Sequence, residues 1–301
     1  MIQGIRHSGA KKMIFKHNDV KHLEILLQSV DINVPKIIAF ESVYSMCGSI
    51  GPIKEICELA KQYNALTFLD EVHAVGMYGA TGAGVAEYID EMANVDIITG
   101  TLGKAYGVVG GYIAGSANLV DMIRSYAPGF IFTTSLPPAI VSGALTSVKY
   151  LKQSNVERSL QQLHTRELKS RLSNLGIPVV PNPSHIVPVL VGDAEICKQV
   201  SDELLNRFNI YVQSINYPTV SKGEERLRIT PTPGHHEGLM DVLVSSLQTI
   251  WEERKLKTEE QWAELGGRAG VGCANVPYPQ QLVGDHELVL DQPLTPIAAT
   301  A

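Results

Sequence analysis

An alternation in the first half of the chain constrains the fold most: short apolar runs are separated by stretches with a helical period. Lys36-Ile-Ile-Ala-Phe-Glu41 reads as a buried strand, and Gly51-Pro52 then opens a helix with Ile53, Ile56, Leu59, Ala60 and Tyr63 on one face. Leu66–Asp70, Val95–Thr99, Gly110–Ala114 and Phe130–Thr133 supply further strand-like runs. Strands alternating with helices imply an α/β architecture, a mostly parallel sheet with helices on both faces. The polar residues of these runs gather at their C-terminal ends, where open α/β sheets bind ligands.

From Pro138 to about Leu175 the sequence is helical, with one break near Ser154-Asn155. A smaller α+β unit follows, with strands expected at Ile186–Val191, Ile210–Val212 and Arg226–Thr230 and helices at Ala194–Arg207 and Glu237–Arg254. Beyond Leu256, Gly266–Gly272 and Val276-Pro-Tyr-Pro279 suggest an irregular tail lying over the surface. The 301 residues, 45% of them hydrophobic, are ample for one large core or two unequal domains. A formal charge of −6 offers nothing to nucleic acid or to an anionic membrane. No apolar run approaches the roughly 20 residues that cross a bilayer. Cys47, Cys57, Cys197 and Cys273 lie far apart, which fits free thiols in a reducing compartment. Met1 is followed by residues that read as neither a signal nor a transit peptide, so the chain is expected to begin inside a folded region.

The chemistry concentrates in two segments. In Asp96–Gly111, Lys104 is set among Gly100, Gly103, Ala105, Gly107, Gly110 and Gly111. Such small residues let the backbone approach a flat ligand closely. A lysine desolvated in that setting has a lowered pKa and becomes a nucleophile toward an aldehyde. In Leu69–Gly76, Asp70 ends a strand and His73 follows three residues later. A carboxylate there either caps the next turn or pairs with a pyridinium nitrogen, keeping an electron-accepting ring protonated. His235-His236 do not form a metal pair, because adjacent residues do not share a helix face, and no metal is expected. His185 begins a strand and reads as structural.

Together these segments resemble the α-oxoamine synthases, pyridoxal-phosphate enzymes that condense an amino acid with an acyl-CoA and lose carbon dioxide. Residues 40–53, 69–79, 99–107 and 128–138 are most similar to the 5-aminolevulinate synthase branch of that family, and Gly266–Gly272 resembles the C-terminal extension of its eukaryotic members. The resemblance runs from Met1 to about Gly272. It implies a fold-type I pyridoxal-phosphate transferase with a cofactor domain over 1–150, a small α+β domain over 151–255 and an extension over 256–301. By motif, Lys104 matches the lysine that carries the cofactor and Asp70 the pyridinium partner. Ser45, Thr101 and His73 match residues around the ring hydroxyl and phosphate. Thr133 and Thr134 match hydroxyls that a neighbouring subunit extends to the phosphate, which implies a homodimer with shared sites. Arg228, in Arg226-Leu-Arg228-Ile-Thr-Pro, matches the arginine that grips a substrate carboxylate through its planar fork. Thr219 and Lys12 match substrate contacts; Lys12 reads equally as a surface lysine beside Lys11. The implied substrates are glycine and succinyl-CoA, and the implied compartment is the mitochondrial matrix.

Two departures stand out. Cys47 occupies a turn position where many members of the family carry Asp. Roughly a third of the family's core, including a histidine that stacks on the cofactor ring, precedes the residue matching Met1. Two alternatives remain open: a non-catalytic fragment or dimer partner, or a sister activity such as 2-amino-3-ketobutyrate CoA ligase.

Overall fold

Parallel pairing starts where the apolar runs require it. The strands β1 (Lys36–Glu41), β2 (Ala65–Asp70), β3 (Ile97–Thr101) and β4 (Gly111–Gly115) form one sheet in that spatial order. The first three are parallel and β4 returns antiparallel to β3. The register sets Glu41 opposite Asp70 and Asp70 opposite Thr99, so the C-terminal ends of β1, β2 and β3 lie level. The computed structural model describes residues 1–274 and 279–289. They divide into two compact units: Met1–Val43 with Ile50–Asn155, and Tyr44–Ser49 with the chain from Val156 onward.

In the first unit the helix after Pro52 runs Ile53–Gln62 and buries Ile53, Ile56, Cys57, Leu59 and Ala60, the face that its apolar spacing predicts. Asp19 caps a second helix, Val20–Gln28, by accepting from His22 N at 2.9 Å, and Leu23 and Leu27 point inward. Two strand expectations change here. Val95 and Asp96 stand outside β3 because the Asp96 carboxylate accepts from Thr67 N at 2.8 Å and Thr67 Oγ1 at 2.9 Å, where a strand's own backbone would have paired. Phe130–Thr133 is not a strand. Pro128 starts a short helix, Pro128–Ile131, and Phe132 N closes it on Pro128 O at 3.0 Å; the fixed φ of proline suits a first helical turn.

The second unit is built on an antiparallel sheet, β5 (Val187–Leu190), β6 (Gln213–Ile215) and β7 (Arg226–Ile229), with β7 in the middle. Helices Val156–Asn174, Ala194–Phe208 and Glu237–Arg254 cover it, and Leu168, Leu172, Val200, Leu204, Leu227 and Leu247 form the centre of the core. Each such leucine contributes about 1.5–3 kcal/mol on burial. The strand expected at Ile210–Val212 lies at Gln213–Ile215 instead. Asn209 ends the preceding helix in a left-handed conformation, and Ile210 N is still bonded to Leu204 O at 3.0 Å, so those residues belong to the helix terminus.

Part of the expected tail is also ordered. Thr258 caps helix Glu259–Glu264 in a capping box, and Trp262 and Val271 pack against Val180 and Leu190. Of the Val276–Pro279 segment, residues 276–278 lie outside the described residues. Among the described residues no helix is long and apolar enough to cross a membrane, and no group of three or more His, Cys, Asp or Glu is placed to hold a metal ion.

Candidate active site

In the first unit the reactive side chains rise from two neighbouring parallel strands. Asp70 is the last residue of β2; Glu71 N continues the ladder to Thr99 O at 2.9 Å before the chain turns. Asp70 Oδ1 accepts from Val72 N at 3.0 Å, the turn-capping contact, and a carboxylate has a second oxygen for another donor. After the turn His73 reaches the loop that follows β3, where its Nε2 lies 2.8 Å from Lys104 Nζ. Lys104 sits in a loop that closes on itself. Leu102 N donates to Gly110 O, Val108 N to Leu102 O and Gly107 N to Lys104 O, each at 2.9 Å. Gly107 holds φ +70°, and nothing lies within 4 Å of the place where its Cβ would be. Thr101, at the end of β3, accepts from Gly103 N at 3.1 Å and donates to Gly110 O at 3.3 Å.

The expectation of a desolvated Lys104 does not hold in the single chain. Gly103, Lys104 and Ala105 are all exposed, because the glycines around them supply no side chains to cover the amine. Thr133 and Thr134 are also exposed, on the turn after Pro128–Ile131, and Lys12 is exposed in an irregular segment.

The residue between Asp70 and His73 has a different task. Glu71 is fully buried, and its carboxylate accepts from Val85 N at 3.1 Å and Ala86 N at 2.8 Å. Burial pushes its carboxyl above the usual carboxylate range. Gly84 passes so close that a Cβ there would fall 2.6 Å from the Glu71 carboxyl carbon. Glu71 thereby ties the His73 turn to the helix Val85–Tyr88.

In the second unit β7 presents Arg226 and Arg228 on one face, as the period of two requires. Arg228 Nε donates to Ser45 O at 2.6 Å and Arg226 to Met46 O at 3.4 Å, so both reach the turn Tyr44–Ser49. Burial pulls both guanidinium pKa values down from their ordinary range. Cys47 Sγ lies 3.1 Å from Ser49 Oγ in the same turn. Thr219 is exposed on a turn in which its N donates to Asn216 O at 2.9 Å. Sequence reasoning assigned no role to Arg226 or Glu71. The alternation Arg-x-Arg in a strand was a signal for the first, since both residues must share a face; nothing local marks the second.

A primary amine, an imidazole and a carboxylate at adjacent strand ends, beside an open glycine loop, fit a carbonyl-bearing aromatic cofactor. The family profile described as aminotransferase class I and II matches residues 1–247. The chain belongs to that family. Relatives of this chain include the mitochondrial 5-aminolevulinate synthases of Yarrowia lipolytica, 62% identical over 90% of this chain and 51% of the relative, and of Neurospora crassa, 58% identical over 100% and 50%. Such a match spans about half the length of each relative. Among solved structures, serine palmitoyltransferase from S. paucimobilis, with PLP and myriocin bound, is similar at TM-score 0.80 and 28% identity over 84% of this chain and 64% of that one. The 8-amino-7-oxononanoate synthase from Francisella tularensis is similar at TM-score 0.71 and 25% identity over 84% and 72%. The fold is that of the fold-type I pyridoxal-phosphate transferases.

Proposed function

We propose that this chain works as a 5-aminolevulinate synthase, condensing glycine with succinyl-CoA to give 5-aminolevulinate, CoA and carbon dioxide at the entry to haem synthesis. The observation that carries the reading is the 2.8 Å approach of Lys104 Nζ to His73 Nε2, beside Asp70 on the neighbouring strand end. The identity of 62% with a relative of that name supports the choice of reaction. The compartment in this reading is the mitochondrial matrix, as the same relatives' names suggest.

Pyridoxal phosphate, when bound, supplies an aldehyde for the lysine and a ring that withdraws electrons from the amino acid's α-carbon. Lys104 would hold that aldehyde until the glycine amine displaces it, and its freed Nζ would then take the glycine α-proton. Asp70, one of whose oxygens accepts from Val72 N, would keep the ring nitrogen protonated. His73 orients Lys104 Nζ and the ring hydroxyl, and donates toward the oxygen of the thioester under attack. Ser45 and Thr101 hold the hydroxyl and phosphate, joined by Thr133 and Thr134 from a second copy of the chain in a homodimer. Arg228 grips a substrate carboxylate in a bidentate pair, and Thr219 and Lys12 contact substrate.

Borohydride reduction of the purified chain with pyridoxal phosphate, followed by peptide mapping, tests this. Label confined to Lys104, then product from glycine with succinyl-CoA and not with acetyl-CoA, is the expected result. Product with acetyl-CoA instead indicates a sister activity, and label scattered over surface lysines indicates a non-catalytic partner.

A further inference from the structure

The turn Tyr44–Ser49 is held from two sides by residues of its own unit. On one side are Arg228 and Arg226, donating to Ser45 O and Met46 O. On the other, Gly48 approaches Asn182 and Ser184 so closely that a Cβ on it would fall 2.5 Å from Asn182 Oδ1 and 2.7 Å from Ser184 Oγ. Asn182 and Ser184 are organised in turn by one buried cation. Lys169 Nζ donates to Ser184 O at 2.6 Å, Asn182 O at 3.0 Å, Asn182 Oδ1 at 3.2 Å and Gln281 Oε1 at 3.3 Å. Asn182 Oδ1 also accepts from Ser184 N and Ser184 Oγ, both at 3.1 Å.

We propose that Lys169 is a positioning residue: by drawing the oxygens of Asn182 and Ser184 onto its ammonium, it fixes the shelf on which Gly48 rests and so sets the turn that carries Ser45. The role of that turn at the cofactor rests on the function proposed above. Lys169 is buried, and among the described residues no carboxylate forms an ion pair with it. Burial, with Arg166 adding repulsion, pulls its pKa down to about 7. An unbranched apolar residue would fill the same channel without that desolvation. What lysine alone adds is a set of donors that joins the Ser184 carbonyl to Asn182 O and Asn182 Oδ1, of which Asn182 O also accepts from Gln281 Nε2 at 3.4 Å.

Amide hydrogen exchange on the full chain reads the turn directly, because Tyr44 N donates to Ser49 O and Gly48 N to Tyr44 O, both at 2.9 Å. Lys169→Met keeps the stem and removes the donors. It is expected to speed exchange at these amides about tenfold, while Tyr63 N, in the other unit, keeps its rate. A double-mutant cycle with Ser45→Ala then reads the dissociation constant of pyridoxal phosphate. Each single change weakens binding, and the double variant binds no more weakly than Ser45→Ala alone. Losses that multiply, or turn amides that exchange at the parental rate, overturn the proposal. Ser184→Ala, which deletes one hydroxyl of the shelf, carries the same two expectations where Lys169→Met does not fold. Faster turn exchange in a chain that takes no cofactor on Lys104 would uphold the positioning of the turn and remove the cofactor reading.

Discussion

At the scale of single residues, the site divides into groups that chemistry marks and groups that only burial marks. Asp70, His73 and Lys104 stood out in the sequence because a strand end, a short spacing and a glycine-rich loop set them apart, and the structure brings His73 and Lys104 within 2.8 Å of each other. Lys169 was not, because one lysine on a helix with many polar residues reads as a solvated face; only the fold turns it inward. Glu71 likewise looked like the spacer of a motif, yet it is the group with the clearest pH consequence. Its raised carboxyl means that the fold prefers the protonated acid. The stability it contributes is therefore fully present below its ordinary value of 4.5 and is lost as pH rises through the higher folded value. Denaturant unfolding between about pH 5 and about pH 8 should show the parent losing stability relative to Glu71→Gln, which cannot ionise. Equal slopes for the two proteins would mean that the folded carboxyl titrates like a solvated one. Lys104→Ala should leave the denaturation midpoint within about 0.5 kcal/mol of the parent, since the side chain is exposed, and should abolish the reducible adduct.

At the scale of elements, helices were easier to place than strands. Glu237–Arg254 and the break after Gln153 fall where the 3.6-residue period and its interruption put them. The strands moved wherever side chains or helix ends took over backbone partners, as Asp96 does for β3 and Asn209 does ahead of β6. Helix Val156–Asn174 illustrates the limit of pattern reading. Its apolar residues are few, yet it buries Arg158, Gln161, Gln162, Thr165 and Lys169 together with Leu168 and Leu172. The two leucines hold it to the core of the second unit. Leu172→Ala should cost about 3 kcal/mol, read as a shift of the denaturation midpoint, because a fully buried leucine leaves a cavity its neighbours cannot close. A loss below about 1 kcal/mol would mean that the helix is held chiefly by its polar contacts.

At the scale of the whole molecule, the first unit leaves large apolar side chains in solvent. Tyr126 is 78% exposed, Phe130 56% and Phe132 84%, in the stretch of chain that leads to Thr133 and Thr134. Exposed aromatic side chains suit burial against a second copy in the homodimer proposed above. Sedimentation velocity should show Phe132→Asp shifting the chain toward monomer, with reduced cofactor affinity following from the loss of the partner's threonines; an unchanged sedimentation coefficient would place the interface elsewhere. The hydrogen bond from Arg228 to the carbonyl of Ser45 joins positions 183 apart in the chain, and it makes any genetic dissection of the site ambiguous in a predictable way. If Arg228 grips substrate as proposed, replacing it also removes the donor to the Ser45 carbonyl. Selection acting on this arginine would then see two phenotypes as one, and a second-site suppressor would be as apt to arise in the turn Tyr44–Ser49 as among the proposed substrate contacts.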